Sequence, residues 1–138
     1  MRSKHLNIKQ LAKALEEAFP EMLFAFLFGS AREGTINPGS DVDMAIYIQE
    51  TADKFTLISR ILKIVESEIS TDKFDLVVLN DAGPVLAMEA LKGTILFIRK
   101  EAMDIYADFY SLTCRLYEDQ IFWMKKQLEY RGYKVEWD

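Results

Sequence analysis

The chain has 138 residues, half of them hydrophobic and 28% charged, with a formal net charge of −5. That length suits a single domain spanning residues 1–138 with a sizeable core, and that composition excludes a disordered chain. The acidic balance disfavours a broad nucleic-acid surface, and one cysteine (Cys114) with one histidine (His5) excludes an internal disulfide and a Cys/His zinc cluster.

The N-terminal stretch MRSKHLNIKQ lacks the apolar core of a secretory signal. No apolar run approaches the length of a membrane span, so a cytoplasmic protein is expected. Leu11, Leu15 and Phe19 recur at helical spacing, with Asn7 as an N-cap and Pro20 as a stop, which predicts a helix over residues 8–18. Met22–Phe28 (MLFAFLF) is a continuous apolar run, as expected of a strand covered on both faces. Residues 29–40 hold three glycines and Pro38 and read as a loop with room for one helical turn. A second strand is predicted at 44–48, a helix at 54–69 and a third strand at 74–79. A turn through Asn80 and Pro84, a short helix ending at Leu91 and a fourth strand at 94–98 follow.

From Glu101 to Tyr130 the pattern is one long helix with two apolar stripes. One holds Tyr106, Tyr110, Tyr117, Met124 and Leu128; the other holds Ile105, Phe109, Leu112, Leu116 and Trp123. Two readings fit: a helix wrapped by its own domain, or one with an aromatic-rich face kept for a partner. The element order predicts a small mixed-sheet α/β (α+β) domain of about four strands flanked by helices.

The chemistry concentrates between Leu27 and Ile48. Side chains alternate along a strand, so Asp41 and Asp43 share one face and Val42 turns away. Two close carboxylates repel and raise each other's pKa, a conflict that a hard divalent cation such as Mg²⁺ relieves. Asp75 is the only carboxylate in the third strand, and if the second and third strands pair it lies beside Asp43. Three carboxylates at one sheet edge can hold two cations, the arrangement used for in-line displacement at phosphorus. Gly29-Ser30 ends the first strand abruptly, where a backbone turn and a hydroxyl could cradle phosphate oxygens. Together these features describe a site for a nucleoside triphosphate.

Gly29-Ser30, ten residues, Asp41-x-Asp43 and a later-strand Asp75 resemble the signature of the nucleotidyltransferase superfamily with the DNA polymerase beta-like fold. The short chain resembles its minimal members, the MntA-type antitoxins of HEPN/MNT toxin–antitoxin pairs. The resemblance covers roughly residues 20–100 and includes Gly34 and Ser40. It implies two Mg²⁺ ions on Asp41, Asp43 and Asp75, with Asp75 also taking the proton of the attacking hydroxyl. It implies ATP as substrate, its phosphates held by Gly29 and Ser30, with Ser40 and Arg32 at the nucleotide. Relatives commonly carry an Arg one position after Arg32, where this chain has Glu33, so the departure leaves the basic contact to the triphosphate open.

The implied reaction moves AMP from ATP to a tyrosine of a cognate HEPN ribonuclease toxin and silences it. Superfamily members acting on nucleic acids or antibiotics generally add a domain for the acceptor; this chain has no residues to spare for one, so a folded protein is the expected acceptor and nucleic acid is not. Two alternatives stand beside this reading: an antitoxin that binds stoichiometrically with a vestigial site, and a transferase acting on a small molecule or an RNA end.

Overall fold

In the computed structural model, residues 4–36, 41–50, 52–69 and 73–134 are described. Helix α1 (Ile8–Ala18) starts at Asn7, whose side chain accepts a hydrogen bond from the Gln10 N–H at 3.0 Å. It ends before Pro20, as its sequence predicts. Strand β2 (Met22–Phe28) follows and is buried at every position, the burial its unbroken apolar run anticipates. Strand β4 (Val42–Ile48) leads to helix α2 (Lys54–Glu68), capped by Asp53 through the Thr56 N–H and hydroxyl. Strand β5 (Phe74–Val78), helix α3 (Pro84–Leu91), strand β6 (Thr94–Ile98) and helix α4 (Met103–Tyr130) complete the main elements.

Four strands form one sheet in the order β5-β4-β2-β6. Strand β2 runs antiparallel to both of its neighbours, whereas β4 and β5 are parallel. The sheet is therefore mixed, as expected. Period-two alternation divides β4 between two cores. Val42, Met44, Ile46 and Ile48 pack with Leu11, Leu15 and the α2 residues Leu57, Ile61 and Val65. Ala45 and Tyr47 face the other way, where Phe24, Phe26, Leu79, Ala87 and Ala90 meet the α4 residues Tyr106 and Phe109. Phe24 stacks on Tyr47 with ring centroids 4.7 Å apart and meets Tyr106 edge-on at 5.3 Å.

Several boundaries differ from those read in the sequence. Strand β4 begins at Val42 rather than Met44, because Val42 and Asp43 continue the parallel ladder with Phe74 and Asp75. Leu79 leaves β5 for a 3₁₀ turn over Leu79–Asp81. Asn80 there donates to the Ile48 carbonyl at 2.8 Å and accepts from the Ile48 N–H at 3.0 Å, completing the end of β4 as a strand neighbour would. A two-residue ribbon joins β1 (Lys4–His5) antiparallel to β3 (Thr35–Ile36). It ties Lys4–His5 to the segment read as a loop with one helical turn, a turn that forms over Gly29–Ala31. No helix among the described residues is long and apolar enough to cross a membrane.

Candidate functional site

Strand β2 ends, and β4 and β5 begin, at the same end of the sheet. The parallel register sets Asp43 directly opposite Asp75, and the antiparallel register sets Asp43 opposite Phe28, the residue before Gly29. Asp43 and Asp75 lie on the α3/α4 side of the sheet, opposite in facing to Val42, as alternation demands. Asp75 is exposed and Asp43 is half-buried. Burial pushes the Asp43 carboxyl above its ordinary value, and the negative charges of Asp75 and Asp41 push it further. When protonated, Asp43 also donates a hydrogen bond to Asp75. The three carboxylates expected to act together thus feel one another.

They do not yet close into a cage, for among the described residues no group of three His, Cys, Asp or Glu side chains is placed to hold a metal ion. The donor set nonetheless fits a hard divalent cation. It consists of carboxylate oxygens, and its most buried member is in an electrostatic conflict that positive charge would relieve.

Gly29 forms the opposite wall. It opens a 3₁₀ turn over Gly29–Ala31 with φ +73°, a conformation that suits glycine. A Cβ on Gly29 would collide with Oδ2 of Asp43, so the turn lies directly against that carboxylate. Ser30 is exposed, and its hydroxyl donates to the Asp41 carbonyl at 3.3 Å, joining the two halves of the motif across ten intervening residues. Arg32 is exposed at the end of the same turn, and the Thr94 hydroxyl at the start of β6 donates to its carbonyl. The structure therefore gathers Gly29, Ser30, Arg32, Asp41, Asp43 and Asp75 at one end of the sheet. Ser40 lies outside the described residues.

Two anchoring residues were not read from the sequence. Thr94 pins the Gly29–Arg32 turn, and its only signal is a hydroxyl at a strand start. Arg99 fastens the opposite end of β2. Its guanidinium donates to the carbonyls of Met22 (2.7 Å), Glu16 (2.6 Å) and Phe19 (2.8 Å), and its N–H donates to Leu23. Long-range contacts to backbone carbonyls leave no mark in a local pattern.

Comparison with known proteins agrees with this geometry. The family described as polymerase beta nucleotidyltransferase matches residues 9–102. A relative from Shewanella oneidensis, protein adenylyltransferase MntA, is 29% identical over 91 residues, covering 64% of this chain and 62% of that protein. The chain thus spans less than two thirds of the length of that curated relative. Among solved structures, a toxin–antitoxin complex with AMP-PNP contains a chain 24% identical to this one. The match has a TM-score of 0.66 and covers 90% of this chain and 94% of that one. A tri-AMPylated Shewanella oneidensis HEPN toxin in complex with MNT antitoxin gives 21% identity, a TM-score of 0.60 and coverage of 89% and 90%. At such identities the structures establish a shared fold, and the family match extends from α1 to Ala102, just before the last helix. The chain belongs to the polymerase beta-like nucleotidyltransferase family.

Proposed function

We propose that the protein, working as one unit over residues 1–138, transfers AMP from ATP to a hydroxyl of a cognate HEPN-domain toxin and thereby silences it as its antitoxin. The observation that carries the reading is the meeting of Asp43, Asp75 and Asp41 with the Gly29-Ser30 turn at one sheet end. Family membership supports nucleotidyl transfer. The adenylyltransferase name of the Shewanella relative and the AMPylated toxin beside a similarly folded chain support the donor and the acceptor.

Asp41, Asp43 and Asp75 would hold Mg²⁺, which when bound supplies charge neutralisation at the triphosphate. The chain's own residues supply position. Gly29 and Ser30 would receive the β- and γ-phosphates, and Arg32 and Ser40, the latter by resemblance alone, would contact the nucleotide. Asp75, exposed at the strand start, accepts the proton as the acceptor oxygen bonds to the α-phosphorus and pyrophosphate departs. A tyrosine is the proposed acceptor. A cytoplasmic location follows from the substrate.

The test is incubation of the protein with ATP, Mg²⁺ and the HEPN protein encoded beside it, followed by intact mass measurement. An increase of one or more AMP units on the partner, lost with EDTA, is expected. A partner silenced at unchanged mass would replace transfer with stoichiometric binding.

A further inference from the structure

Helix α4 leaves a second surface that the proposed transfer does not use. Its first half docks on the sheet through Tyr106, Phe109 and Thr113, and Lys92 of the α3 C-cap lies over the Tyr117 ring. On the adjoining face a row of large apolar side chains stays in solvent: Ile105 (41% exposed), Leu112 (44%), Leu116 (45%), Trp123 (64%) and Tyr130 (94%). At 3.6 residues per turn these five fall within an arc of about 40°. Their spacing of seven, four, seven and seven residues makes one continuous apolar row, or seam, along the helix. Phe109, grouped with this stripe in the sequence reading, turns instead to the core. The 28-residue helix is about 42 Å long, enough for four heptads.

The charges along one flank of the seam select the occupant. Reading toward the C-terminus they are Asp108, Arg115, Asp119 and Lys126. In an antiparallel pair of identical helices, residues on the same flank meet each other. When Ile105 is placed against Tyr130 and Leu112 against Trp123 of a second copy, Asp108 faces Lys126 and Arg115 faces Asp119. Each of these pairs occurs twice across the two-fold axis, and Leu116 sits beside the axis with its own counterpart. Each of these four charges meets its opposite in this register, Lys126 lying also 3.8 Å from Glu129 of its own helix, whereas a parallel, in-register pair would set Asp108 against Asp108 and Lys126 against Lys126.

We infer that this face of α4 is a self-association surface, on which a second copy of the chain docks its own α4 antiparallel. The two sheets then lie at opposite ends of the helix pair, with both carboxylate sites outside the seam. The inference does not depend on which nucleotide or acceptor the site uses.

The decisive experiment uses Asp108 and Lys126, which are about 27 Å apart along one helix and cannot meet within a chain. Sedimentation of the full chain alone should show a concentration-dependent dimer. Asp108→Lys and Lys126→Asp should each weaken it by at least about tenfold, since each sets like charges together twice. Mixed in equal amounts, the two variants should recover a one-to-one heterodimer, because each then offers the charge that the other lacks. Circular dichroism melts of the separate variants check folding. The inference falls if wild type stays monomeric to hundreds of micromolar, or if the mixture associates no better than either variant alone. A chain that is monomeric alone and loses toxin binding in both variants would assign the seam to the toxin and overturn the inference equally.

Discussion

Asp43 and Asp75 stand opposite one another on parallel strands, two like-charged groups at one sheet end joined by a hydrogen bond when Asp43 carries a proton. Without a cation this arrangement costs stability, and the sign of its pH dependence follows. Burial and the neighbouring charges raise the folded-state pKa of Asp43 above its ordinary 3.8. From about that value up to the raised one, the folded chain holds more protons than the unfolded chain, so stability falls as pH rises. Above the window the penalty is complete. In EDTA, Asp43→Asn should therefore melt higher than wild type at neutral pH, and its advantage should shrink in acid. Mg²⁺ at neutral pH should raise the wild-type melting temperature and do much less for the variant. Wild-type and Asp43→Asn melting temperatures that run parallel from acid to neutral pH would contradict this account.

Gly29 tests the other wall. Alanine there must adopt φ +73° and displace the Asp43 carboxylate at once. The backbone strain alone is worth about 1–3 kcal/mol. Gly29→Ala should lower the melting temperature and abolish transfer. Alanine at the neighbouring Ser30, whose exposed hydroxyl makes one 3.3 Å bond, should leave stability nearly unchanged while slowing transfer. Calorimetry beside a transfer assay separates the two effects, and unaltered melting of Gly29→Ala would show that the turn is not fixed as described.

Arg99 makes a purely structural prediction. Its guanidinium serves three carbonyls at the end of β2 and around the α1 C-terminus, at the far end of the sheet from the carboxylates. Arg99→Met keeps an unbranched apolar stem but strips those carbonyls of their donor and removes the guanidinium that lies 5.4 Å from the Phe97 ring centroid. A loss of about 2–3 kcal/mol in chemical denaturation is expected. The turnover of the protein that remains folded should not change, and a loss of turnover without a loss of stability would place Arg99 in the chemistry instead.

The legible parts of this molecule were those with a period or an unbroken run. MLFAFLF announced a strand covered on both faces, and alternation gave the opposite facing of Val42 and Asp43, whereas Asp41 lies just before the strand. The opposition of Asp43 and Asp75 followed once their strands were paired. The β1–β3 ribbon was missed because two residues on each side carry no period, and their pairing is fixed by tertiary contact around Gly34, whose carbonyl accepts from the Leu6 N–H. The faces of α4 could be found but not assigned. Periodicity counts apolar stripes, whereas only the position of the sheet decides that Phe109 turns inward and Leu112 outward.

Asp75 separates catalysis from binding. It is exposed at the start of β5, so Asp75→Asn should preserve the strand and its register. The change removes the group proposed to take the hydroxyl proton, a role typically worth about 10²–10⁴ in rate. It also removes a negative charge that raises the Asp43 pKa, so the low-pH melting difference described above should narrow in this background. The substitution conserves size and strand register, so on the proposed reading the variant should keep its affinity for the toxin. It should therefore bind without modifying. If the proposed transfer is what silences the toxin, a dose series in cells against fixed toxin should show wild type protecting when scarce and Asp75→Asn protecting only when it matches or exceeds the toxin. Equal protection at equal doses would mean that neutralisation never needed the transfer, and that the antitoxin works by occupancy alone.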